Sequence, residues 1–346
     1  RPANQFTQPA GLAETPNMQF RPLGSTGIDV STLSFGAGPV SGLMTVDADD
    51  RQQAVIARAV ELGINWFDTA ATYGNGQSER SLGNALSTLR PEFPLYVATK
   101  VRVNVTNETD LRPAVVNSVR ESLARLKRPS VALLQIHNSI TWNRHDQPTS
   151  ITPEDVLGPR GLLAGLQDVR DAGWVSHFGL TGIGDADALR TVMQSRHFAT
   201  IQAPFHILNP SALRETPAPL CDPDYGGFLQ TAHDLGMGIF AIRVYAAGAL
   251  LGAEPSKHTL TTQFFPLDLY RRDQSRVQRL TAWLGSQSKL RESALRYVLS
   301  PPEISSAIIG FGETSHVEHA AQVTELGPMP MAELERMETF RNSAIV

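Results

Sequence analysis

Short apolar runs alternate with amphipathic segments along the chain from Met18 to about residue 325. Eight runs have the length and the β-branched or aromatic content of buried strands, and they are TLSFG (32–36), INWFDT (64–69), LYVATKV (95–101), VALLQIH (131–137), VSHFGLT (175–181), TIQAPF (200–205), GIFAIRV (238–244) and SSAIIGF (305–311). Helical periodicity follows each run, at 49–62, 78–89, 110–127, 153–172, 185–196, 223–235, 272–285 with 289–299, and 315–325. Eight successive β/α units predict an α/β fold with a closed (β/α)8 barrel.

The same alternation also fits a doubly wound sheet. That fold usually carries a G-x-G-x-x-G turn after its first strand, and FGAGPVSG (35–42) lacks this pattern, so we favour the barrel, known as the TIM barrel. The preceding stretch MQFRPLGSTGIDVSTL (18–33) predicts an N-terminal β-hairpin that caps the barrel bottom. We therefore expect one barrel domain over 18–346, and a flexible extension or cloning scar over 1–17.

Composition narrows the classes of partner. The chain has 346 residues and a net charge of −4, so it offers no broad basic surface for nucleic acid or anionic membranes. No run of about 18 apolar residues predicts a membrane helix, and the first residues lack the apolar core of a signal peptide. The single cysteine, Cys221, cannot form an internal disulfide, which fits a reducing compartment. We expect a soluble, cytoplasmic protein.

Four residues suited to proton chemistry lie at or just past the ends of neighbouring strands. Asp68 and Tyr73 follow the second apolar run, Lys100 is at the end of the third, and His137 ends the fourth. In a (β/α)8 barrel the carboxyl ends of the strands converge on one rim. The sequence therefore predicts that these four side chains meet.

The chemistry of these residue types points to a reaction class. A buried Lys100 needs a partner for its charge, and Asp68 is the nearest carboxylate that the topology offers. A tyrosine has an unperturbed pKa of about 10 and donates a proton poorly at neutral pH, whereas a nearby ammonium favours the phenolate. His137 would then hydrogen-bond a carbonyl oxygen as it gains charge, or share the proton with Tyr73. Each residue alone also fits a structural role, but together they favour carbonyl reduction or its reverse.

Several stretches of the chain resemble the aldo-keto reductases, a family of (β/α)8 enzymes that use nicotinamide cofactors. The similar stretches are FRPLGSTGIDVSTLSFG, GINWFDTAATYGNGQSERSLGNAL, VATKV, SLARLKRPSVALLQIH, GWVSHFGLT, IQAPFHIL and ALRYVLSPPEISSAIIGF. The tail of the match, IIGFGETSHVEHAAQVTELGP (308–328), is most similar to bacterial branches that include sugar and aldose dehydrogenases. The resemblance implies a catalytic tetrad in which Tyr73 is the general acid, Lys100 and Asp68 support it, and His137 orients the substrate.

The resemblance also implies cofactor contacts. Thr181 and Gln202 match positions that hold the nicotinamide carboxamide, and Gly36 and the segment Gly310, Gly312 and His316 match further cofactor positions. After the seventh strand the family often has an aromatic residue that stacks on the nicotinamide, but this chain has Ile242, Arg243, Val244 and Tyr245. Ile242 is then the candidate platform, and Arg243 a candidate pyrophosphate contact. Gly182 stands where an asparagine is common.

The choice between NADP(H) and NAD(H) depends on residues 310–320. Backbone donors at a helix N-terminus suit the adenosine 2'-phosphate. The stretch GFGETSHVEHA contains no lysine or arginine, however, and it carries Glu313, with His316 as the local candidate cation. The resembled family mostly uses NADP(H), whereas the local charge favours NAD(H) or the use of both cofactors. We expect NADP(H), as the resemblance implies.

We expect an enzyme that interconverts a carbonyl, in an aldehyde, ketone or aldose, and an alcohol. Met44 and Trp142 are candidates for the substrate pocket, and no spacing of His, Cys and acidic residues predicts a metal. Two alternatives remain open: a cofactor-sensing, non-catalytic binding subunit of the same fold, and a barrel isomerase or lyase that uses Lys100 as a structural or Schiff-base residue. The sequence leaves the substrate, the direction and the oligomeric state open.

Overall fold

Eight parallel strands form a closed barrel in the computed structural model, which describes residues 18–105 and 110–344. The predicted extension at 1–17 lies outside the described residues. A hairpin of β1 (Phe20–Pro22) and β2 (Asp29–Ser31) precedes the barrel. The barrel strands are β3 (Leu33–Gly36), β4 (Trp66–Asp68), β5 (Tyr96–Val101), β6 (Val131–Ile136), β7 (Val175–Thr181), β8 (Thr200–Pro204), β9 (Gly238–Ile242) and β10 (Ser306–Ile309). Pairing of β10 with β3 closes the ring, which confirms the predicted TIM barrel.

Helices surround the barrel in the order that the sequence predicts. They are α1 (Asp49–Glu61), α2 (Gln77–Ser87), α3 (Arg112–Leu126), α4 (Pro153–Leu157), α5 (Leu162–Asp171), α6 (Ala186–Gln194), α7 (Phe228–Asp234), α8 (Lys257–Thr261), α9 (Leu267–Leu284), α10 (Gln287–Leu299), α11 (Thr314–Glu325) and α12 (Met331–Ala344). The stretch 153–172, predicted as one helix, is two, because Gly158 adopts an extended conformation and Pro159 has no N–H to continue α4. The sequence analysis missed α8 and α12.

The hairpin caps the N-terminal end of the barrel, as predicted. Leu23 and Val30 pack against inward-facing strand residues in a small buried cluster whose other members are Trp66, Ala98, Leu133, Phe240 and Ile308. The indole of Trp66 and the ring of Phe240 have centroids 4.9 Å apart. The bottom of the barrel is thus filled with side chains, and the opposite end remains for chemistry.

The side chains of Asn138 and Arg144 hold the long connection after β6 in place. Asn138 donates to the carbonyl oxygens of Val103 (2.9 Å) and Thr149 (2.7 Å) and accepts from the backbone N–H of Val103 (3.0 Å). Arg144 pairs with Asp155 at the start of α4. These contacts fix the loop at the carboxyl-end rim beside β5 and β6. Among the described helices, none has the length and apolar character needed to cross a membrane.

Two glycines of the hairpin turn offer a matched test of the cap. Gly24 and Gly27 both have left-handed φ, +52° and +77°. A Cβ on Gly24 would lie 2.3 Å from the backbone nitrogen of Gly238, whereas a Cβ on Gly27 would meet nothing within 4 Å. We expect Gly27→Ala to lower the free energy of unfolding by about 1 kcal/mol from backbone strain alone. Gly24→Ala should cost at least about 2 kcal/mol more, because the hairpin must move off the barrel.

Urea unfolding followed by circular dichroism measures both variants. Equal losses for the two substitutions would show that the hairpin is not seated against the β9 end of the barrel.

Candidate active site

The structure brings the four predicted proton-transfer residues together at the carboxyl end of the barrel. Asp68 is the last residue of β4, Lys100 is near the end of β5, and His137 directly follows β6. Tyr73 lies in the turn between β4 and α2. Side chains alternate along a strand, so Asp68 and Lys100 point inward like Trp66 and Ala98 two residues before them.

Lys100 is the centre of this group. Its Nζ forms an ion pair with Asp68 Oδ1, donates to the backbone oxygen of Thr69 at 2.9 Å, and lies 3.4 Å from the hydroxyl of Tyr73. Lys100 and Asp68 are almost completely buried, whereas Tyr73 is half-buried. The ammonium therefore lies beside the Tyr73 hydroxyl, and solvent and a ligand can reach both Tyr73 and the partly exposed His137.

The pKa of Lys100 is set by two opposing effects, burial and the neighbouring Asp68 carboxylate. Removal from water lowers the pKa of a lysine, but the adjacent Asp68 carboxylate more than offsets this, with Tyr73 adding to it, so the pKa of Lys100 is raised. Lys100 therefore stays protonated across the physiological pH range. The site contains a permanent positive charge beside the Tyr73 hydroxyl.

His137 stands edge-on to Tyr73. The two ring centroids are 5.5 Å apart at an interplanar angle of 82°, and His137 Nδ1 is 3.3 Å from Thr72 Oγ1. Burial first, and then the charges of Lys100 and Arg102, hold the pKa of His137 well below its usual range. A neutral imidazole carries one N–H donor, which suits a carbonyl oxygen better than a second charge would.

The two residues predicted to hold the nicotinamide carboxamide are engaged with the protein in this structure. The amide nitrogen of Gln202 donates to Asp68 Oδ2. Thr181 Oγ1 donates to the backbone oxygen of Ile136 at 2.8 Å and accepts from Gln135 Nε2 at 2.8 Å. Gln202 thus steadies the carboxylate that holds Lys100, a role that the sequence analysis did not foresee.

The backbone turns sharply after β9. Arg243, Ala246 and Ala247 all adopt left-handed φ values between 49° and 58°, a conformation that costs non-glycine residues about 1 kcal/mol or more each. The guanidinium carbon of Arg243 lies 3.6 Å from the ring centroid of Phe265, and Val244 is buried. The turn presents Arg243 at the rim beneath the loop that contains Phe265.

A cation that the sequence analysis missed lies at the predicted 2'-phosphate segment. Gly310 and His316 are exposed, and α11 begins there at Thr314 without a side-chain cap. Arg51 of α1 reaches this segment, with Nε 3.1 Å from the oxygen of Gly312 and Nη2 3.2 Å from Glu313 Oε1. Arg51 lies 262 positions before Glu313, so nothing local in the sequence signals the pairing. The charge of Glu313 is therefore compensated from another element.

Two glycines of the site are explained by close packing. A Cβ on Gly36 would lie 2.9 Å from Ile308 Cγ2, so β3 and β10 approach too closely for a side chain. A Cβ on Gly182 would lie 2.7 Å from the ring of Phe228. Phe228 therefore occupies the space that the asparagine common in the resembled family would need.

The two predicted pocket residues lie in different surroundings. Met44 is fully buried in the main hydrophobic core, so it has no surface to offer a ligand in this conformation. Trp142 is 51% exposed on the long loop after β6. The structure does not bring these two side chains together.

Glu79 is a buried support for the turn that contains Tyr73. Its side chain is fully buried on α2, where it accepts from Thr99 Oγ1 at 2.5 Å and from Arg125 Nε at 2.6 Å. These bonds tie α2 to β5 and α3. The helix that follows Tyr73 is therefore fixed relative to the strand that carries Lys100.

The residues around the rim fit a dinucleotide. A sterically open glycine at 312, an uncapped helix N-terminus and the cations Arg51 and Arg243 suit phosphate groups. The side chain of Arg243 makes no hydrogen bond or ion pair within 18–105 and 110–344, which leaves its donors for a ligand. Over the same residues, no cluster of three or more His, Cys, Asp and Glu side chains is arranged to hold a metal ion.

A family model describes the same chain. The model for the aldo/keto reductase family matches residues 32–342. The chain belongs to this family. It is an NAD(P)-dependent oxidoreductase of carbonyl and alcohol groups.

Individual relatives cover almost the full length. An L-galactose dehydrogenase from Arabidopsis thaliana is 29% identical over 91% of each chain. A probable voltage-gated potassium channel subunit beta from the same plant is 24% identical over 90% of this chain and 93% of its own. Among solved structures, an aldo-keto reductase from Bacillus halodurans in its holo form superposes with a TM-score of 0.69 at 20% identity, covering 95% of this chain and 97% of its own.

The buried ion pair yields a stability prediction. Asp68→Asn leaves the ammonium of Lys100 buried without a countercharge, and we expect the free energy of unfolding to fall by about 3–5 kcal/mol. The double variant Asp68→Asn/Lys100→Met removes the unpaired charge, so it should recover much of that loss. Chemical denaturation measures both. A loss below about 1 kcal/mol in Asp68→Asn would contradict a buried, paired Lys100.

Proposed function

We propose that this enzyme interconverts an aldehyde, ketone or aldose and the corresponding alcohol by hydride transfer, with Tyr73 as the general acid and base. The observation that carries the proposal is the position of the protonated Lys100 ammonium, 3.4 Å from the Tyr73 hydroxyl. Lys100, Asp68 and Thr69 form a rigid, desolvated support behind the phenol. The two groups in front of it, Tyr73 and His137, are those that a substrate oxygen would meet.

The proton is handled by the chain's own residues. Bound nicotinamide would supply or accept the hydride. In the reducing direction Tyr73 gives its proton to the carbonyl oxygen as that oxygen gains charge, and Lys100 stabilises the resulting phenolate. The neutral imidazole of His137 donates a hydrogen bond to the same oxygen and fixes its direction. In the oxidising direction the phenolate takes the proton from the alcohol.

Aldoses are the first substrate class to test. The relative that is 29% identical over 91% of this chain bears the name L-galactose dehydrogenase, which supports a sugar substrate here. A polar substrate also suits a rim that carries Tyr73, His137 and several arginines. Oxidation is therefore a physiological direction to test alongside reduction.

For the cofactor we propose NADP(H), with NAD(H) as a weaker second. The 2'-phosphate would lie at the start of α11, where Arg51 and the exposed His316 supply positive charge. The sequence alone suggests that Glu313 disfavours the 2'-phosphate of NADP(H). Arg51 weakens that argument, because its positive charge compensates the Glu313 carboxylate. Both side chains of the Arg51–Glu313 pair are more than half exposed, so the pair is weak and a phosphate can compete for Arg51.

Removing the hydroxyl of Tyr73 tests the proton-transfer step. We expect Tyr73→Phe to lower kcat by about 10²- to 10⁴-fold, the usual contribution of a general acid. NADPH binding, followed by fluorescence, should change little because the hydroxyl is the only group removed. Unchanged turnover in Tyr73→Phe would overturn the role of this residue.

Removing the carboxylate of Glu313 tests the cofactor site. Glu313→Gln frees Arg51 and removes a negative charge near the 2'-phosphate, so the Kd for NADPH should fall about three- to tenfold at low salt. The Kd for NADH should change by less than about twofold. Glu61→Gln is the matched control, because Glu61, at the end of α1, is likewise an exposed carboxylate paired with an arginine. An equal effect on NADPH and NADH would place the 2'-phosphate elsewhere.

A second function is favoured by the similarity to a channel subunit over 90% of the chain. In that case the protein would bind NADP(H) and report its redox state without rapid turnover. Screening aldehydes, ketones and aldoses with NADPH, and sugars with NADP+, separates the two functions. Tight cofactor binding without turnover of any compound in the panel would favour the sensing subunit.

A further inference from the structure

Arg102 is a cation at the active-site rim that the proposed mechanism does not use. It follows Lys100 by two residues and is the first residue past β5, which ends at Val101, so it lies at the carboxyl-end rim of the barrel. Its positive charge acts on both Tyr73 and His137. Arg102 therefore lies just above the proton-transfer group, on the same wall.

Arg102 has no countercharge within residues 18–105 and 110–344. Its guanidinium makes no ion pair or hydrogen bond there, and its Nε is buried without a partner. Its guanidinium lies against the ring of Phe264, whose centroid is 5.4 Å from Cζ. By contrast, the partly buried Arg125 has a carboxylate partner, Glu79. A desolvated, unpaired guanidinium is costly, and a bound anion would remove that cost.

The barrel topology separates Arg102 from the cofactor residues. The strand order is β10-β3-β4-β5-β6-β7-β8-β9, so β5 lies opposite β9, the strand that precedes Arg243. The loop before α9 spans the mouth between them, with Phe264 against Arg102 and Phe265 against Arg243. An anion at Arg102 therefore lies on the β5 side of the mouth, across from Arg243, and His258 of α8 lies where the charges of both arginines act on it.

We propose that Arg102 binds a carboxylate of the substrate, so that the enzyme prefers acidic carbonyl compounds such as uronic acids or aldehyde acids over their neutral counterparts. This inference rests on the proposed function. The planar guanidinium matches a carboxylate with two parallel hydrogen bonds. The carboxylate undergoes no change: the carbonyl carbon gains a hydride from NADPH, the carbonyl oxygen gains the Tyr73 proton, and NADP+ is released.

Matched substrate pairs test the inference. The full-length enzyme with NADPH is assayed on 4-oxobutanoate against butanal, and with NADP+ on galacturonate against galactose. We expect kcat/KM to favour the acid of at least one pair by about 10- to 100-fold, as for a charge-assisted hydrogen-bonded pair. Arg102→Gln should reduce that acid-to-neutral ratio by at least tenfold, and Arg102→Lys should restore part of it. Arg120→Gln, which removes an exposed α3 charge, should leave the ratio unchanged.

Each contrary outcome is distinct. If neutral compounds are turned over but neither acid is preferred, or if Arg102→Gln lowers both members of a pair equally, this inference fails and the proposed function stands. If Arg102→Gln instead weakens NADPH binding measured by fluorescence, Arg102 serves the cofactor and the inference fails. If NADPH binds but no compound is turned over, the proposed function and this inference fail together.

Discussion

The ion pair between Lys100 and Asp68 is the interaction on which the site depends. Two opposite charges removed from water are tolerated only when their geometry is close and their remaining hydrogen-bonding positions are filled. Here Asp68, the oxygen of Thr69 and the amide of Gln202 meet these requirements from β4, the turn after it and β8. Asp68 and Lys100 meet because β4 and β5 are neighbouring strands, whereas the contact from Gln202 depends on barrel closure, which brings β8 across from β4.

Other parts of the molecule hold Lys100, Asp68 and Tyr73 in position relative to one another. The hairpin fills the bottom of the barrel with Leu23, and the side chains above it form a layer beneath the ion pair. Glu79 ties the helix after Tyr73 to the strand of Lys100. The result is a phenol beside a fixed cation: Lys100 and Asp68 are buried, whereas Tyr73 is partly exposed where a ligand can approach.

The sequence predicts the parts of this structure that repeat or alternate. Strand and helix periodicity gave the barrel, and strand-end positions brought Asp68, Lys100 and His137 together. The sequence does not predict contacts between distant segments. Arg51 of α1 pairs with Glu313 before α11, and Gln202 donates a hydrogen bond to Asp68. Arg102 is not predicted for a different reason. In the sequence, an arginine just past a strand end is expected to be solvated, and only the structure shows that its Nε is buried without a partner. Short elements such as α8 and the terminal α12 carry too weak a hydrophobic pattern to predict.

The central claim is that the charge of Lys100 makes Tyr73 an effective proton donor. The most direct measurement is the single-turnover rate of NADPH oxidation by a saturating aldehyde in the wild-type enzyme, Lys100→Arg and Lys100→Met, with NADPH binding as the check on folding. The account predicts that Lys100→Met slows this rate by at least about 100-fold while still binding NADPH, with Lys100→Arg between the two. A Lys100→Met enzyme that transfers hydride at the wild-type rate would contradict it.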